Sequence, residues 1–195
     1  VLINMYGTEQ RMAWALGVDK LDDVVDRIHG LLDLMHGPPE GLVNRVRTLG
    51  RLVRLGSFQP KTVSRAPCQD VVLEGEDVDL LKFPVLKCWP LDGGRFITLP
   101  LVYTEPVGGG PGNLGMYRAQ VFEDNALGLH VQIGKVGGFH LSDAHAQERP
   151  LPVNLHVGGP PALMLAAVAP LPENAPELLL ASLALGKRLA MCRNP

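Results

Sequence analysis

The chain has 195 residues, 46% of them hydrophobic and 19% charged, with a formal net charge of −2. That mixture can bury a sizeable core and excludes a disordered chain. The near-neutral charge gives no electrostatic reason to bind nucleic acid. Three cysteines, Cys68, Cys88 and Cys192, have neither metal-ligand nor C-x-x-C spacing, which implies free thiols in a reducing, cytoplasmic setting. The sequence has no run of about 18 apolar residues to span a membrane, and its first residues lack the layout of a signal peptide.

Val1–Asn4 reads as a short strand already in progress, so an upstream segment is expected. Thr8 caps a helix over Arg11–Leu16 that Gly17 stops. Leu21, Val24, Val25, Ile28, Leu31, Leu32 and Met35 recur at steps of three and four and form one helical face; Pro38 and Pro39 end it. Leu42–Leu55 reads as a further helix, and its basic residues as a solvated face.

From about Ser64 proline and glycine become frequent and the apolar runs short. DVVLEGEDVDLLKFP reads as a strand with a turn at Glu74-Gly75. Phe96 to Thr104 is a β run, and GMYRAQVFED and GLHVQIGKV are two more, with Asp124-Asn125 as the hairpin turn between them. Short strands with turns suggest a compact barrel or sandwich, not a βαβ sheet. HLSDAHAQERP then reads as a helix, Val153–Val157 as a strand, ALMLAAVAP as a helix or apolar turn, and PENAPELLLASLALG as a helix closed by Gly186.

The glycines of Gly108–Gly112 suit a flexible hairpin loop. GLHVQIGKV is one residue too long for a phosphate loop and has Val136 where a hydroxyl is required. Gly-x-Ser-x-Gly, the hydrolase elbow, is absent. Asn113 and Arg118 carry more chemistry. On a regular strand their odd separation puts them on opposite faces. They share a site only if Asn113 sits at the loop mouth or a bulge intervenes. Arg118 and Gln120 share a face and could hold a phosphate or carboxylate; an exposed ion pair is the plainer reading of Arg118. His29 and His36 read as surface residues, and His130 and His140 lack the i, i+4 partner of a helical metal site. Glu173 and Glu177 suit a helix N-terminus, and Glu177 pointed inward would suit a hard metal.

Together the segments NMYGTEQRMAWALG, PVLKCWPLDGGRFITLPLVYTEP, NLGMYRAQVF and GGPPALMLAAVAPLPENAPELLLASLALG resemble the UbiD family of decarboxylases, from Asn4 to Cys192. The resemblance implies an α+β chain: an N-terminal α/β segment over 1–63, then over 64–195 a flavin-reductase-like split β-barrel, incomplete at its C-terminal end. It implies reversible, non-oxidative decarboxylation of an aromatic or α,β-unsaturated acid with prenylated FMN, a divalent metal (usually manganese) and potassium. The family's metal ligands fall on Asn113 and Glu177, and its substrate-side arginine on Arg118. Cofactor contacts fall on Asn113, Leu114, Gly115, Met116, Tyr117, Arg118, Gln132, Lys135, Ala167, Val168, Ala169 and Pro170, with Ala166 in the same backbone segment.

The chain departs from the family in two places. Family members read roughly H-x-Q-I-H-K-G-G where this chain reads HVQIGKVGG, so Gly134 stands in place of the metal histidine and Val136 is extra. His130 and His140 are the neighbouring imidazoles, and the motif places neither as a substitute. The family's acid–base glutamates belong to a later segment that this sequence does not contain. The expected partners are a small carboxylic acid and either a second copy or a further chain to cover exposed apolar surface. Two other readings stay open on the residues: a catalytically inactive fragment or flavin-binding protein of the same fold, and a plain FMN oxidoreductase.

Overall fold

A computed structural model of the chain describes residues 4–35, 50, 53, 55–171 and 176–194. The chain divides into two compact units. The first comprises Val1–Ser64, Pro160–Ala169 and Glu177–Arg193; the second comprises Arg65–Gly159, Pro170–Pro176 and Asn194–Pro195.

The first unit is built on helices. α1 (Glu9–Leu16) starts at Thr8, whose hydroxyl accepts from the Arg11 N–H, and ends at Gly17 with φ 68°, a conformation that favours glycine. α2 spans Asp22–Met35. Leu21, Val24 and Ile28 pack with Leu16, Ala162, Leu165 and Ala184 in one apolar cluster, as the step of three and four predicts. The partners come from two later helices, Pro161–Val168 and Glu177–Leu185. The latter closes at Gly186, φ 67°, and Arg27 Nη1 donates to the Ala184 carbonyl near that end. Strand β1 (Lys61–Thr62) pairs in parallel with Ala190–Met191. Residues 1–3 and most of Leu42–Leu55 lie outside the described residues. Asn4 has φ 54° and is not in a strand; residues 50, 53, 55 and 56 are helical.

Ser182 ties the last helix to the last strand. Its hydroxyl donates to the Leu178 carbonyl at 3.0 Å and accepts from the Leu189 N–H at 3.1 Å, with the residue fully buried. Ser182→Ala strands that N–H, and a destabilisation of about 1–3 kcal/mol is expected in urea unfolding.

Among the described residues the second unit carries six strands in two sheets. β2 (Arg95–Ile97), β5 (Ala119–Val121) and β6 (Leu127–Leu129) form one, in the order β2-β5-β6; β3 (Leu101–Thr104), β4 (Asn113–Met116) and β7 (Val153–His156) form the other, in the order β4-β3-β7. All pairings are antiparallel. The expected β run from Phe96 to Thr104 is therefore broken: Pro100 has no N–H to give to a ladder, and the chain changes sheets there. On the return limb it changes sheets again at Tyr117-Arg118. Ile97 pairs with Ala119 and Leu101 with Met116, so three residues, 98–100, oppose two. That is a bulge, which bends the hairpin and raises its twist.

Two further expectations are corrected. DVVLEGEDVDLLKFP holds no strand; it folds into short 3-10 turns at Gly75–Asp77 and Leu80–Lys82, with Val71, Val72 and Leu73 exposed, so no neighbour offers a ladder. The expectation of a compact barrel or sandwich is met in its coarser form: among the described residues the strands of this unit form two three-stranded antiparallel sheets. The helix expected over HLSDAHAQERP begins earlier, as α3 (Val136–Ala146). In chain order the helices of the first unit, Pro161–Val168 and Glu177–Leu185, are α4 and α5, and Ala190–Met191 is β8.

Candidate functional site

Asn113 opens β4 at the mouth of the glycine loop, where Gly109 and Gly110 have φ 84° and 145°. Its side chain is buried, at 6% exposure. Thr104 is its direct partner across the β3–β4 ladder, so their side chains share a face with Cβ atoms about 4.5–5.5 Å apart. Thr104 Oγ1 lies 2.9 Å from His140 Nδ1. The buried residues of α3 are Gly137, His140 and Ala144, a stripe at steps of three and four on a helix that packs against β3 and β4. Asn113, Thr104 and His140 are the buried polar residues of this unit. Asn113 Nδ2 is fully enclosed and has no hydrogen-bond partner among the described residues.

An unpaired enclosed amide costs about 1–3 kcal/mol. A half-turn of the carboxamide exchanges its N and O, so the unsatisfied position suits either a hydrogen-bond acceptor or an electrophilic ion. Burial pushes the His140 pKa below its ordinary 6.5, and Asp143 on the same helix opposes this more weakly. The unfolded chain therefore takes up the proton first as pH falls. Stability from this group is present above about pH 6.5 and is lost as pH drops through the lowered folded value. The melting temperature of the protein without added metal is expected to fall from pH 7 to pH 5, and His140→Gln should flatten that part of the profile.

Arg118 sits between β4 and β5, opposite the bulge. The break answers the spacing problem: the pleat does not run regularly from Asn113 to Arg118. Its guanidinium is 3.5 Å from Asp92 Oδ2 and about half exposed, and its Cζ lies 3.5 Å from the centre of the Phe96 ring. Asp92 Oδ2 also accepts from the Trp89 N–H. An ion pair this open contributes about 0–1 kcal/mol, and the ring contact about 0.5–1 kcal/mol. The guanidinium is thus held in place while part of it stays free to meet a carboxylate. Gln120 faces Gly93 and Gly94, where an added Cβ would meet its amide at 3.4 and 3.1 Å.

Tyr117 is buried against two glycines: a Cβ on Gly115 would come within 2.5 Å of its ring, and one on Gly137 within 2.9 Å of its hydroxyl. Tyr117 so joins β4 to the first turn of α3. Leu114 is buried and Met116 half-buried. Gln132 and Lys135 are exposed in the loop before α3, where the Lys135 N–H donates to the Gln132 carbonyl. Gly134 has φ 89° with nothing within 4 Å of an added Cβ, so a side chain there would meet backbone strain, not crowding.

The remaining expected residues belong to the first unit, apart from Pro170. Ala166 and Ala167 end α4 with Val168; Ala169 is extended, its N–H bonded to the Ala166 carbonyl. Glu177 is the first residue of α5 and half-buried, where a carboxylate complements the helix dipole. Glu173 lies outside the described residues, as does His36. His29 and His130 are exposed. Among the described residues no three His, Cys, Asp or Glu side chains group to hold a metal, and no helix is long and apolar enough to cross a membrane. None of the three cysteines is in a disulfide.

Sequence reasoning missed Thr104, Asp92 and Phe96. Threonine in a β run carries no functional signal; its role emerges only from the ladder register and from the helix that reaches it.

Residues 61–195 match the UbiD family, described as the 3-octaprenyl-4-hydroxybenzoate carboxy-lyase Rift-related domain, and the chain belongs to that family. Among its relatives is an uncharacterized protein of Archaeoglobus fulgidus, 40% identical over 190 residues, covering 97% of this chain and 38% of that protein. Another, from Chlamydia pneumoniae, is named as a subunit of 4-hydroxybenzoate decarboxylase; it is 40% identical over 194 residues, covering 97% of this chain and 31% of that protein. The chain thus spans about a third of the length of these relatives. The fold is similar to the UbiD-class enzyme HmfF of Pelotomaculum thermopropionicum in complex with prFMN, with TM-score 0.76, 22% identity and coverage of 98% of this chain and 40% of that one. It is also similar to the vanillic acid decarboxylase of Sedimentibacter hydroxybenzoicus, with TM-score 0.74, 23% identity and coverage of 98% and 38%.

Proposed function

We propose that this chain is the flavin- and metal-binding part of a decarboxylase. The enzyme removes carbon dioxide, reversibly and without net oxidation, from an aromatic or α,β-unsaturated acid, using prenylated FMN, manganese or another divalent metal, and potassium. One observation carries the reading: Asn113, which the motif resemblance matches to a family metal ligand, is a buried carboxamide with unspent bonding capacity. Its oxygen and the Glu177 carboxylate are hard donors, suited to manganese or magnesium. In this reading the two sheets within 64–195 belong to a split-barrel flavin domain, and 1–63 is an α/β segment that packs with α4 and α5. Leu114, Gly115, Met116, Tyr117, Gln132, Lys135, Ala167, Val168, Ala169 and Pro170 contact the cofactor.

Bound prenylated FMN supplies an electron sink for the carbon that loses its carboxylate. The chain's own side chains bind and orient. Arg118 takes the substrate carboxylate through its planar fork, and Phe96 covers one guanidinium face. Asp92, already paired with Arg118, limits its swing. Trp89, Leu91 and Phe122 are strongly exposed, which supports a further chain or second copy as partner; the relative from Chlamydia pneumoniae, itself a subunit by name, agrees with this.

The test is to incubate the protein with prenylated FMN, manganese and potassium, desalt it, and record the flavin absorbance. Exchange of labelled bicarbonate into 4-hydroxybenzoate and cinnamate-type acids is then followed. Retained flavin with exchange supports the reading. Retained flavin without exchange marks a flavin-binding protein, and no retained flavin overturns the cofactor assignment.

A further inference from the structure

We propose that His140 is the imidazole ligand of the divalent metal in this chain, in place of the side chain that Gly134 lacks; the inference rests on the metal-dependent reading just given. Position 134 is unsuited to a histidine, because its backbone lies at φ 89°, where L side chains are strained. The structure brings a different imidazole to Asn113. Thr104 is the link: it lies directly opposite Asn113 in the ladder and bonds His140 Nδ1 at 2.9 Å. Asn113 and His140 are thus both neighbours of Thr104, one by ladder register and the other by a hydrogen bond.

The ring is oriented as a ligand requires. Metal-binding histidines are held by a hydrogen bond from the ring nitrogen that does not bind the metal, which sets both tautomer and direction. With Nδ1–H given to Thr104 Oγ1, the Nε2 lone pair is left for an ion. Nε2 makes no hydrogen bond among the described residues, and it is not sealed, since Asn113 Nδ2 is the enclosed side-chain atom without a partner. The residue is 8% exposed, so the ring is fixed by its surroundings while Nε2 stays reachable from solvent. His130 is exposed and His145 lies off the buried stripe of α3, so neither competes. An amide oxygen and an imidazole are both donors that first-row divalent ions accept.

The experiment is manganese binding to the protein with FMN present, followed by electron spin resonance and its spin-echo modulation. The wild type should show modulation from an imidazole nitrogen, altered when the histidines carry the heavy nitrogen isotope. His140→Ala should remove that modulation and raise the manganese Kd by at least about 10-fold. Thr104→Val, which keeps the imidazole and drops its tether, should raise Kd about 10–100-fold, as outer ligand-orienting groups do. His130→Ala should change neither. Manganese held without imidazole modulation, or modulation that survives in His140→Ala, overturns the assignment while leaving the metal-dependent reading intact. A wild type that holds neither manganese nor FMN overturns both. If His140→Ala fails to fold by circular dichroism, isotope labelling and Thr104→Val decide: unaltered modulation or an unchanged Kd overturns the assignment.

Discussion

On the decarboxylase reading, Arg118→Ala should lower kcat/KM by about 10²–10³-fold, because it removes the charge-assisted fork that binds and orients the substrate carboxylate. The guanidinium is half open, braced by the Phe96 ring and the Asp92 carboxylate, each at 3.5 Å. A substrate carboxylate needs two parallel donors to be held in one plane. Arg118→Lys should recover little, because an ammonium offers a point charge without the fork and stacks less well on Phe96. Asp92→Asn should have a smaller effect, confined mainly to KM. None of the three should move the urea midpoint much, since the ion pair and the ring stacking are worth about 1 kcal/mol or less each. A midpoint that collapses in Arg118→Ala would make the residue structural instead.

Gly115→Ala carries the second large effect, on stability. The added methyl would lie within 2.5 Å of the Tyr117 ring, whose hydroxyl is already against Gly137 on α3. The ring is buried and lies against glycines on both β4 and α3, so β4, Tyr117 or the helix must shift. Overpacking of this kind costs about 1–3 kcal/mol, measured as a lower denaturation midpoint. Because α3 also carries His140, manganese affinity should fall in the same variant. Combining it with Tyr117→Leu relieves the clash, and a double-mutant cycle should give a favourable coupling of about 0.5–3 kcal/mol. Strictly additive losses would show that Tyr117 is not the obstacle. Gly134→Ala is the contrast: it meets no atom, and its cost comes only from the positive φ.

Much of the fold is legible along the chain. α1 follows from its Thr8 cap and Gly17 stop, α2 from its apolar step, and α5 from an apolar run closed by Gly186. These signals are local, so each can be read without knowing what packs against it. The β5–β6 hairpin follows for the same reason from Asp124-Asn125. Misreadings cluster where the partner decides. Val71–Leu73 is apolar enough for a strand and finds no ladder. Phe96 to Thr104 is one β run by composition and two strands in fact, because Pro100 and the opposing Tyr117-Arg118 interrupt the pairing.

The candidate site divides along the same line. The sequence by itself determined the family, through ordered motifs whose resemblance puts the expected site residues at Asn113, Arg118 and Glu177, and it showed that Gly134 has no side chain to ligate a metal. Only the tertiary structure decided what surrounds Asn113 and Arg118. The bulge that breaks the Asn113–Arg118 pleat needs two limbs of a hairpin to exist. The juxtaposition of His140 with Thr104, and of Thr104 with Asn113, needs a helix laid on a ladder in one register. Such contacts join residues up to 36 apart in the chain, and no local pattern encodes a partner that far away; packing selects it.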